Sequence, residues 1–319
     1  MRSSLLLVLI GLSVSTLASP PASAGPAIEA ARQVANTDPA CTPLAPFYWE
    51  IGSPQGPIGG GATGDLTIQA GTSLPIASAS KLYFAAYVLE ARRGRLTDAD
   101  LMALRMQLGF VDFGICLPRE TVRSCLSRGN NGVHRPRYDG VFHYGGGHFQ
   151  AWGAANGLAS LGGDLLAREY RRMLGSDLEV AFRTPQLAGG MEGSAFTYAR
   201  FLRRILRGEL VLSSRLGELP VCTDPRSCRE ASSSPADRAW HYSHGHWIED
   251  DPRFYPFDDG SFSSAGAFGF YPWISADRAY YGILSREDHS PGAGMRSAEC
   301  GQRIRRAFLE RVRERLFLR

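Results

Sequence analysis

Ser78 and Lys81 are the residues whose types and spacing point most directly to chemistry. They stand three residues apart at the start of residues 78–93, whose apolar spacing predicts a helix, so both side chains share one face. A serine hydroxyl becomes nucleophilic when a base takes its proton, and a lysine amine can act as that base when burial lowers its pKa. Lys81 is the single lysine among 35 basic residues, and an arginine could not release its proton there. The pair therefore predicts a serine nucleophile with a lysine base.

The stretch around this pair, residues 75–81 (PIASASK), resembles the nucleophile motif of the serine β-lactamase and penicillin-binding-protein superfamily. The likeness is to its class C-like branch, which includes related esterases and D-aminopeptidases. Many relatives carry a second motif of the form Tyr-x-Gly-Gly-Gly, and residues 143–148 (HYGGGH) are similar to it. The resemblance implies that Tyr144 moves protons between Ser78, Lys81 and the leaving group.

Two readings of Tyr144 follow from its chemistry. A phenol beside a cationic lysine is expected to have a lowered pKa and to act as a general base. The alternative is a core tyrosine that precedes a helix. The sequence is compatible with either Lys81 or Tyr144 as the base in acylation.

The third family motif corresponds to residues 264–266 (SAG), aligned on a strand predicted over residues 267–274. Gly266 would let the backbone approach a substrate closely. The resemblance implies that the backbone N–H groups of Ser78 and Ala267 hold the oxyanion. Residues 187–210 are similar to the family's glycine turn and following helix, so the resemblance covers most of the chain.

Two departures from the family pattern affect the expected substrate. Gly146 stands where many relatives have an asparagine that holds a substrate amide. Ser264 stands where penicillin-recognising members have a cation for the substrate carboxylate. We therefore expect an exported serine hydrolase that forms an acyl-enzyme with an ester or amide, and expect β-lactam hydrolysis to be less efficient. The alternative is a non-catalytic relative that binds cell-wall material or peptides.

Other polar residues have more than one interpretation. His148 is expected to be a core or capping histidine rather than a cleft residue. Glu192 is expected to be a solvated loop residue, although it could imitate a deacylation base. A third group lies within residues 241–251 and is expected to form a polar loop near the site entrance, with a metal centre as the alternative: His241, His244, His246, Glu249, Asp250 and Asp251. We predict no cofactor and no metal.

The elements that must position these residues follow from hydrophobic spacing. Residues 59–64 are glycine-rich and are expected to form a hairpin turn before a short strand at 66–68. Helices are predicted over residues 26–36, 78–93, 196–210 and 297–317, and strands over 46–51, 267–274 and 279–284, with a hairpin loop at 275–278. The order predicts an α+β fold of the β-lactamase/transpeptidase type: an antiparallel sheet flanked by the N- and C-terminal helices, with an inserted, mainly helical domain.

The predicted organisation has three parts. Residues 1–24 are expected to be a secretory signal peptide, with an uncleaved anchor as the alternative. Residues 25–95 and 231–319 would form the sheet domain, and residues 96–230 the inserted domain.

The rest of the chain lacks an apolar run that could span a membrane. The net charge of +4 in 319 residues is too small to indicate a nucleic-acid partner. The expected partner is a small-molecule or peptide substrate, and the oligomeric state is open.

The six cysteines indicate disulfides in an exported protein, periplasmic or secreted. They can pair in fifteen ways. Sequence spacing favours two short loops, Cys116–Cys125 and Cys222–Cys228. A sheet shared by both ends of the chain favours Cys41–Cys300 as the third bond.

Overall fold

The computed structural model describes residues 25–317 of the chain, so the predicted signal peptide lies outside the described residues. The helices are α1 (Gly25–Thr37), α2 (Ser80–Ala91), α3 (Asp98–Leu104), α4 (Val122–Leu126), α5 (Gly147–Ala155), α6 (Gly163–Leu174), α7 (Ala195–Leu206), α8 (Leu212–Arg215) and α9 (Ala293–Phe317). The strands are β1 (Phe47–Ser53), β2 (Gly56–Thr63), β3 (Leu74–Pro75), β4 (Phe142–His143), β5 (Ala181–Phe182), β6 (Met191–Gly193), β7 (Val221–Cys222), β8 (Ala231–Ser233), β9 (His241–Ser243), β10 (His246–Glu249), β11 (Ser261–Ser263), β12 (Tyr271–Ile274) and β13 (Tyr281–Ser285).

The main sheet joins strands from both ends of the chain, as predicted. Its order is β2-β1-β13-β12-β11-β10-β9-β7, and every neighbouring pair is antiparallel. The central pairing brings the N-terminal β1 beside the C-terminal β13, with Trp49 opposite Leu284. Both side chains are buried, so this long-range contact belongs to the core. The predicted α+β class is confirmed.

The terminal helices pack together and onto the sheet. Helix α1 contacts α9 and β2, and α9 contacts β12 and β13. The apolar positions predicted for the last helix do face the core, because Ile304 and Phe308 are buried. The Cys41–Cys300 disulfide links residues 259 positions apart. Cys116–Cys125 and Cys222–Cys228 are also bonded, so all three predicted pairings are confirmed.

The glycine-rich stretch is a strand and not a hairpin turn, which corrects the prediction. Residues 59–63 belong to β2, and the turn lies earlier, at residues 54–55. A Cβ at Gly60 would lie 2.3 Å from the carbonyl oxygen of Trp49, and one at Gly59 would lie 2.6 Å from Ile28 of α1. The glycines therefore allow close packing on both sides of β2. Residues 66–68 form a turn and not the expected strand.

The strand predicted over residues 267–274 is also wrong in its first half, because β12 begins at Tyr271. Residues 264–270 form a tight loop between β11 and β12, in which Gly266 N–H donates to the Phe270 carbonyl at 2.7 Å. Gly269 has a φ of +100°, which a strand residue does not adopt. The third motif therefore follows β11 instead of opening a strand.

The middle of the chain is mainly helical but also contributes short strands. Helices α3 to α8 lie there, together with β4 to β7. Strand β7 joins the edge of the main sheet, and α7 packs on β1 and β13. The exact division into two domains stays a prediction. Within residues 25–317, no helix combines the length and apolar character needed to cross a membrane.

Candidate active site

Ser78 lies in a single 3-10 turn, Ala77–Ala79, that leads directly into α2. Ala77 has a φ of +44°, in the left-handed region that residues with a side chain rarely adopt. The Ser80 hydroxyl holds this turn from inside: it donates to the Ala77 carbonyl at 2.6 Å and accepts from the Met191 N–H at 3.3 Å. The strained turn is thus tied to β6 and presents Ser78 at the start of the helix.

The Lys81 amine is placed against the Ser78 hydroxyl, as the spacing predicted. Its Nζ lies 2.7 Å from Ser78 Oγ and donates to the Ala188 carbonyl at 3.0 Å. The Lys81 side chain is buried, with 4% of its surface exposed, whereas Ser78 is half-buried. Burial lowers the pKa of Lys81 to about 7, because a charged amine loses its hydration there. A neutral amine is therefore available near neutral pH.

The Tyr144 ring lies over the same amine. Lys81 Nζ is 4.5 Å from the ring centroid, and the ring stacks on Trp247 of β10 at a centroid distance of 5.1 Å. Burial raises the pKa of Tyr144 to about 12, and hydrogen bonding with Ser78 and Trp247 only partly opposes this. The predicted lowering of its pKa is therefore wrong: at neutral pH the phenol keeps its proton.

The segment after β11 packs on the turn that carries Ser78. Ser264 Oγ donates to the Ser78 carbonyl at 3.1 Å, and a Cβ at Gly266 would lie 2.2 Å from the Ile76 carbonyl oxygen. Gly266 is thus required for this close approach. In the described part of the chain, the backbone N–H groups of Ser78 and Ala267 donate to no protein acceptor. Both residues line one cavity, so an oxyanion could accept from both amides.

The cavity has a volume of about 570 Å³ and brings the predicted residues together: Ser78, Lys81, Tyr144, Gly146 and Ala267 all line it. Ser264 and Gly266 lie just behind its wall. Several other lining residues were not predicted as site residues, among them Phe113, Ile115, Arg183, Phe268 and His289. These five lie in loops without hydrophobic periodicity. The one sequence signal near them is the predicted disulfide of Cys116, which indicates that the segment around Ile115 is ordered.

His148 is a core histidine, as predicted, and it supports the Tyr144 loop. Its Nδ1 accepts from the Leu108 N–H at 3.0 Å, and its Nε2 donates to the His143 carbonyl at 3.0 Å. Burial lowers its pKa to about 3, so the ring stays neutral, as one accepting and one donating nitrogen require.

The residues expected to form a polar loop instead form strands β9 and β10 and the turn that follows, which corrects the prediction. His241 pairs with Asp250 at 2.8 Å, and His246 hydrogen-bonds to the backbone of His244 and Gly217. Within residues 25–317, these histidines and carboxylates do not converge into a metal-binding group.

Glu192 lies on β6 and not in a turn. It forms an ion pair with Arg183 at 3.1 Å across the β5–β6 hairpin. Its side chain is 34% exposed and lies outside the cavity lining. A deacylation role is therefore not supported by the cavity lining.

Comparison with known proteins identifies the fold. No protein-family model matches the sequence, and no curated protein matches it either. Solved structures do match. The D-amino acid amidase of Ochrobactrum anthropi has 11% identity and a TM-score of 0.62, covering 89% of this chain and 98% of the amidase. A hydrolase with promiscuous acyltransferase activity has 12% identity and a TM-score of 0.61, covering 90% and 98%.

A β-lactamase of Mycobacterium bovis has 13% identity and a TM-score of 0.53, covering 84% of this chain and 95% of that one. These matches extend over nearly the whole length of each partner. The chain therefore has the β-lactamase/transpeptidase fold, as the three motifs predicted.

Proposed function

We propose that the chain is an exported serine hydrolase that forms an acyl-enzyme with an ester or amide. The observation that carries the proposal is the contact between Ser78 Oγ and the buried Lys81 amine at 2.7 Å. A nucleophile, a base with a pKa of about 7 and two free backbone donors line one cavity. Export is supported by the three disulfides, which are typical of proteins in oxidising compartments.

In the proposed acylation, neutral Lys81 takes the proton of Ser78 as Oγ forms a bond to the substrate carbonyl carbon. The negative charge moves to the carbonyl oxygen, where the N–H groups of Ser78 and Ala267 stabilise it. Lys81 is the better candidate for the base, because Tyr144, with a pKa of about 12, is protonated at neutral pH.

Tyr144 is better suited to donate a proton. When the bond from the carbonyl carbon to the leaving oxygen or nitrogen breaks, the phenol supplies a proton to that atom and regains one from protonated Lys81. Water then attacks the acyl-enzyme and Lys81 accepts its proton. As the ester bond to Ser78 Oγ breaks, protonated Lys81 returns that proton to Oγ, which releases the acid and restores the neutral amine. No carboxylate lines this cavity, and the lining histidine His289 is exposed and lies against Glu287 at 2.8 Å. Lys81, which contacts Ser78 directly, is therefore the proposed base for both halves of the reaction.

The pH dependence of turnover should report the Lys81 amine. Because the neutral form is the base, kcat/KM is expected to rise with pH through an apparent pKa near 7. A tenfold fall per pH unit is expected below about pH 6. Initial rates with a p-nitrophenyl ester between pH 5 and 9 test this. A flat profile, or a rise that still continues tenfold per pH unit at pH 9, would contradict a buried lysine base.

Covalent labelling tests the nucleophile directly. The purified protein is exposed to a fluorophosphonate and, separately, to a penicillin, and its intact mass is measured beside Ser78→Ala. A single fluorophosphonate adduct is expected on the wild type, and none on Ser78→Ala. The Ser214→Ala variant is the matched control, because Ser214 is an exposed serine of α8 that lies outside the cavity lining.

The outcomes separate the candidate functions. An adduct that requires Ser78 supports an activated serine, and an additional penicillin adduct would place cell-wall peptides among the substrates. Labelling that persists in Ser78→Ala would assign the nucleophile elsewhere. No adduct on the wild type would favour the non-catalytic binding relative.

A further inference from the structure

Phe113 and Gly146 form a close pair on one wall of the cavity, two residues from Tyr144. A Cβ at Gly146 would lie 2.8 Å from Cδ1 and 2.9 Å from Cε1 of the Phe113 ring. The ring therefore rests directly on the glycine backbone. Any side chain at position 146 would push the ring away, so the aromatic wall depends on the absence of that side chain.

The segment that carries Phe113 is anchored directly after that residue. Cys116 is bonded to Cys125, and the Gly114 N–H donates to Asn131 Oδ1 at 2.8 Å. The Asn131 side chain also donates to the Cys125 carbonyl at 2.8 Å, and only 5% of this residue is exposed. The wall is thus held in place before any ligand arrives, which reduces the entropy lost on binding.

The same segment packs onto the start of α5. A Cβ at Gly147 would lie 2.3 Å from the Phe110 carbonyl oxygen, so the two backbones touch here as well. The segment that carries Phe113 is therefore in direct backbone contact with the start of α5, next to Tyr144. A substitution of Phe113 would change the shape of the cavity that Ser78 also lines.

The chemistry of the cavity favours an uncharged, apolar group. Phe113, Ile115, Met191 and Phe268 line it, and no aspartate or glutamate does. Aryl and alkyl groups gain free energy when such surfaces remove them from water.

The two exposed basic side chains in the lining, Arg183 and His289, already lie against carboxylates. Arg183 pairs with Glu192 at 3.1 Å, and His289 pairs with Glu287 at 2.8 Å. Both side chains are more than half exposed to solvent, so water screens them strongly. The buried basic group in this lining is Lys81, the base of the proposed mechanism, and the two exposed basic side chains already lie against carboxylates.

We propose that Phe113, resting on Gly146, forms an apolar acyl-binding subsite that selects substrates with aryl or branched alkyl acyl groups. This inference rests on the proposed function, because it assumes that the acyl group is the one transferred to Ser78. The aromatic ring binds the acyl side chain while the carbonyl points to the oxyanion donors. An aryl acyl group fills the subsite, whereas an acetyl group leaves it empty.

The test compares p-nitrophenyl phenylacetate with p-nitrophenyl acetate, which share a leaving group. The wild type is expected to favour the phenylacetate by about tenfold or more in kcat/KM. Phe113→Ala should lower this ratio about tenfold, and Gly146→Ala should lower it as well by displacing the ring. Leu117→Ala is the control: Leu117 lies on the same segment but is 42% exposed and outside the cavity lining. It should keep the ratio within about twofold.

Two results would overturn the subsite. One is a wild type without preference for the phenylacetate, and the other is an equal loss with both esters in Phe113→Ala. Fluorophosphonate labelling of Phe113→Ala shows that the variant is folded and its serine active.

A binding measurement that needs no turnover distinguishes failure of the hydrolase proposal from failure of the subsite proposal. Phenylacetamide is titrated into the wild type and Phe113→Ala, and binding is followed by NMR. If Ser78 is unreactive but phenylacetamide binds about tenfold more weakly to Phe113→Ala, the subsite stands and the hydrolase does not. Equal binding to both proteins would overturn the subsite whatever the activity.

Discussion

Replacing Lys81 by methionine is expected to abolish activity and to stabilise the protein. The loss of a general base should lower kcat/KM about 10³-fold. Stability should increase because the folded protein buries an amine that the unfolded chain keeps charged in water. The pKa of Lys81 falls from 10.5 to about 7 on folding, and each pKa unit corresponds to about 1.4 kcal/mol. Part of the gain is lost because the Ala188 carbonyl loses its donor, which costs about 1–3 kcal/mol.

The net gain should be about 2 kcal/mol at pH 7 and should shrink as the pH rises. The direction of this pH dependence follows from the number of protons that each state binds. Between pH 7 and 10.5 the unfolded lysine binds more protons than the folded one, so the wild type becomes more stable with increasing pH while the methionine variant lacks this term. By pH 9.5 the two proteins should have similar free energies of unfolding.

Urea unfolding of both proteins at pH 7 and pH 9.5 measures this difference. Ser78→Ala is the matched control, because it loses activity while retaining the buried amine. Its stability should follow the pH dependence of the wild type. A methionine variant that is less stable than the wild type by the same amount at both pH values would show that Lys81 is not held in a neutral form by burial.

The contact between Ser78 and Lys81 was predictable because its signal is local. Ser78 and Lys81 are three residues apart where the Ala77–Ala79 turn leads into α2, so their distance depends mainly on this short segment. The pKa of Tyr144 was not predictable in this way. It depends on burial beside Trp247, which arrives from a strand about one hundred residues later in the chain. Tertiary burial raises this pKa more than the neighbouring groups lower it.

The fold was predictable at the level of element order and less so at element boundaries. Apolar spacing located the terminal helices and the strands that pair as β1 and β13. The predictions were wrong at two glycine-containing segments, because the conformation that a glycine serves depends on what packs against it. In β2 glycine permits close packing by Trp49 and Ile28, and at Gly266 it permits contact with Ile76. These neighbours are distant in sequence, so no local pattern reveals them.

The buried charges around Glu249 show a further effect of tertiary structure. The sequence of residues 241–251 predicts a polar loop, but Glu249 lies on β10 and is fully buried. The partner is Arg305 of α9, also fully buried, whose guanidinium lies 2.8 Å from Glu249 and 3.0 Å from Asp259. Arg305 also donates to the Tyr271 hydroxyl at 3.0 Å. A helix and two strands are thus joined by one charged group.

Replacing Arg305 by leucine is expected to lower the free energy of unfolding by about 3–5 kcal/mol. The reason is that Glu249 would remain buried without its cation, and a buried carboxylate without a partner is strongly unfavourable. The adjacent Arg306→Leu provides the matched control. Arg306 forms an exposed pair with Glu310 at 2.7 Å on the same helix, and such pairs contribute about 0–1 kcal/mol.

Urea unfolding of the two single variants and of the double variant Arg305→Leu, Glu249→Leu separates charge from packing. If the unpaired carboxylate causes the loss, removing it together with Arg305 should restore about 1–3 kcal/mol relative to Arg305→Leu. If the loss comes only from the packing of the arginine stem, the double variant should be the least stable of the three. A change at Arg305 no larger than that at Arg306 would mean that water reaches Glu249 and that the network does not hold α9 to the sheet.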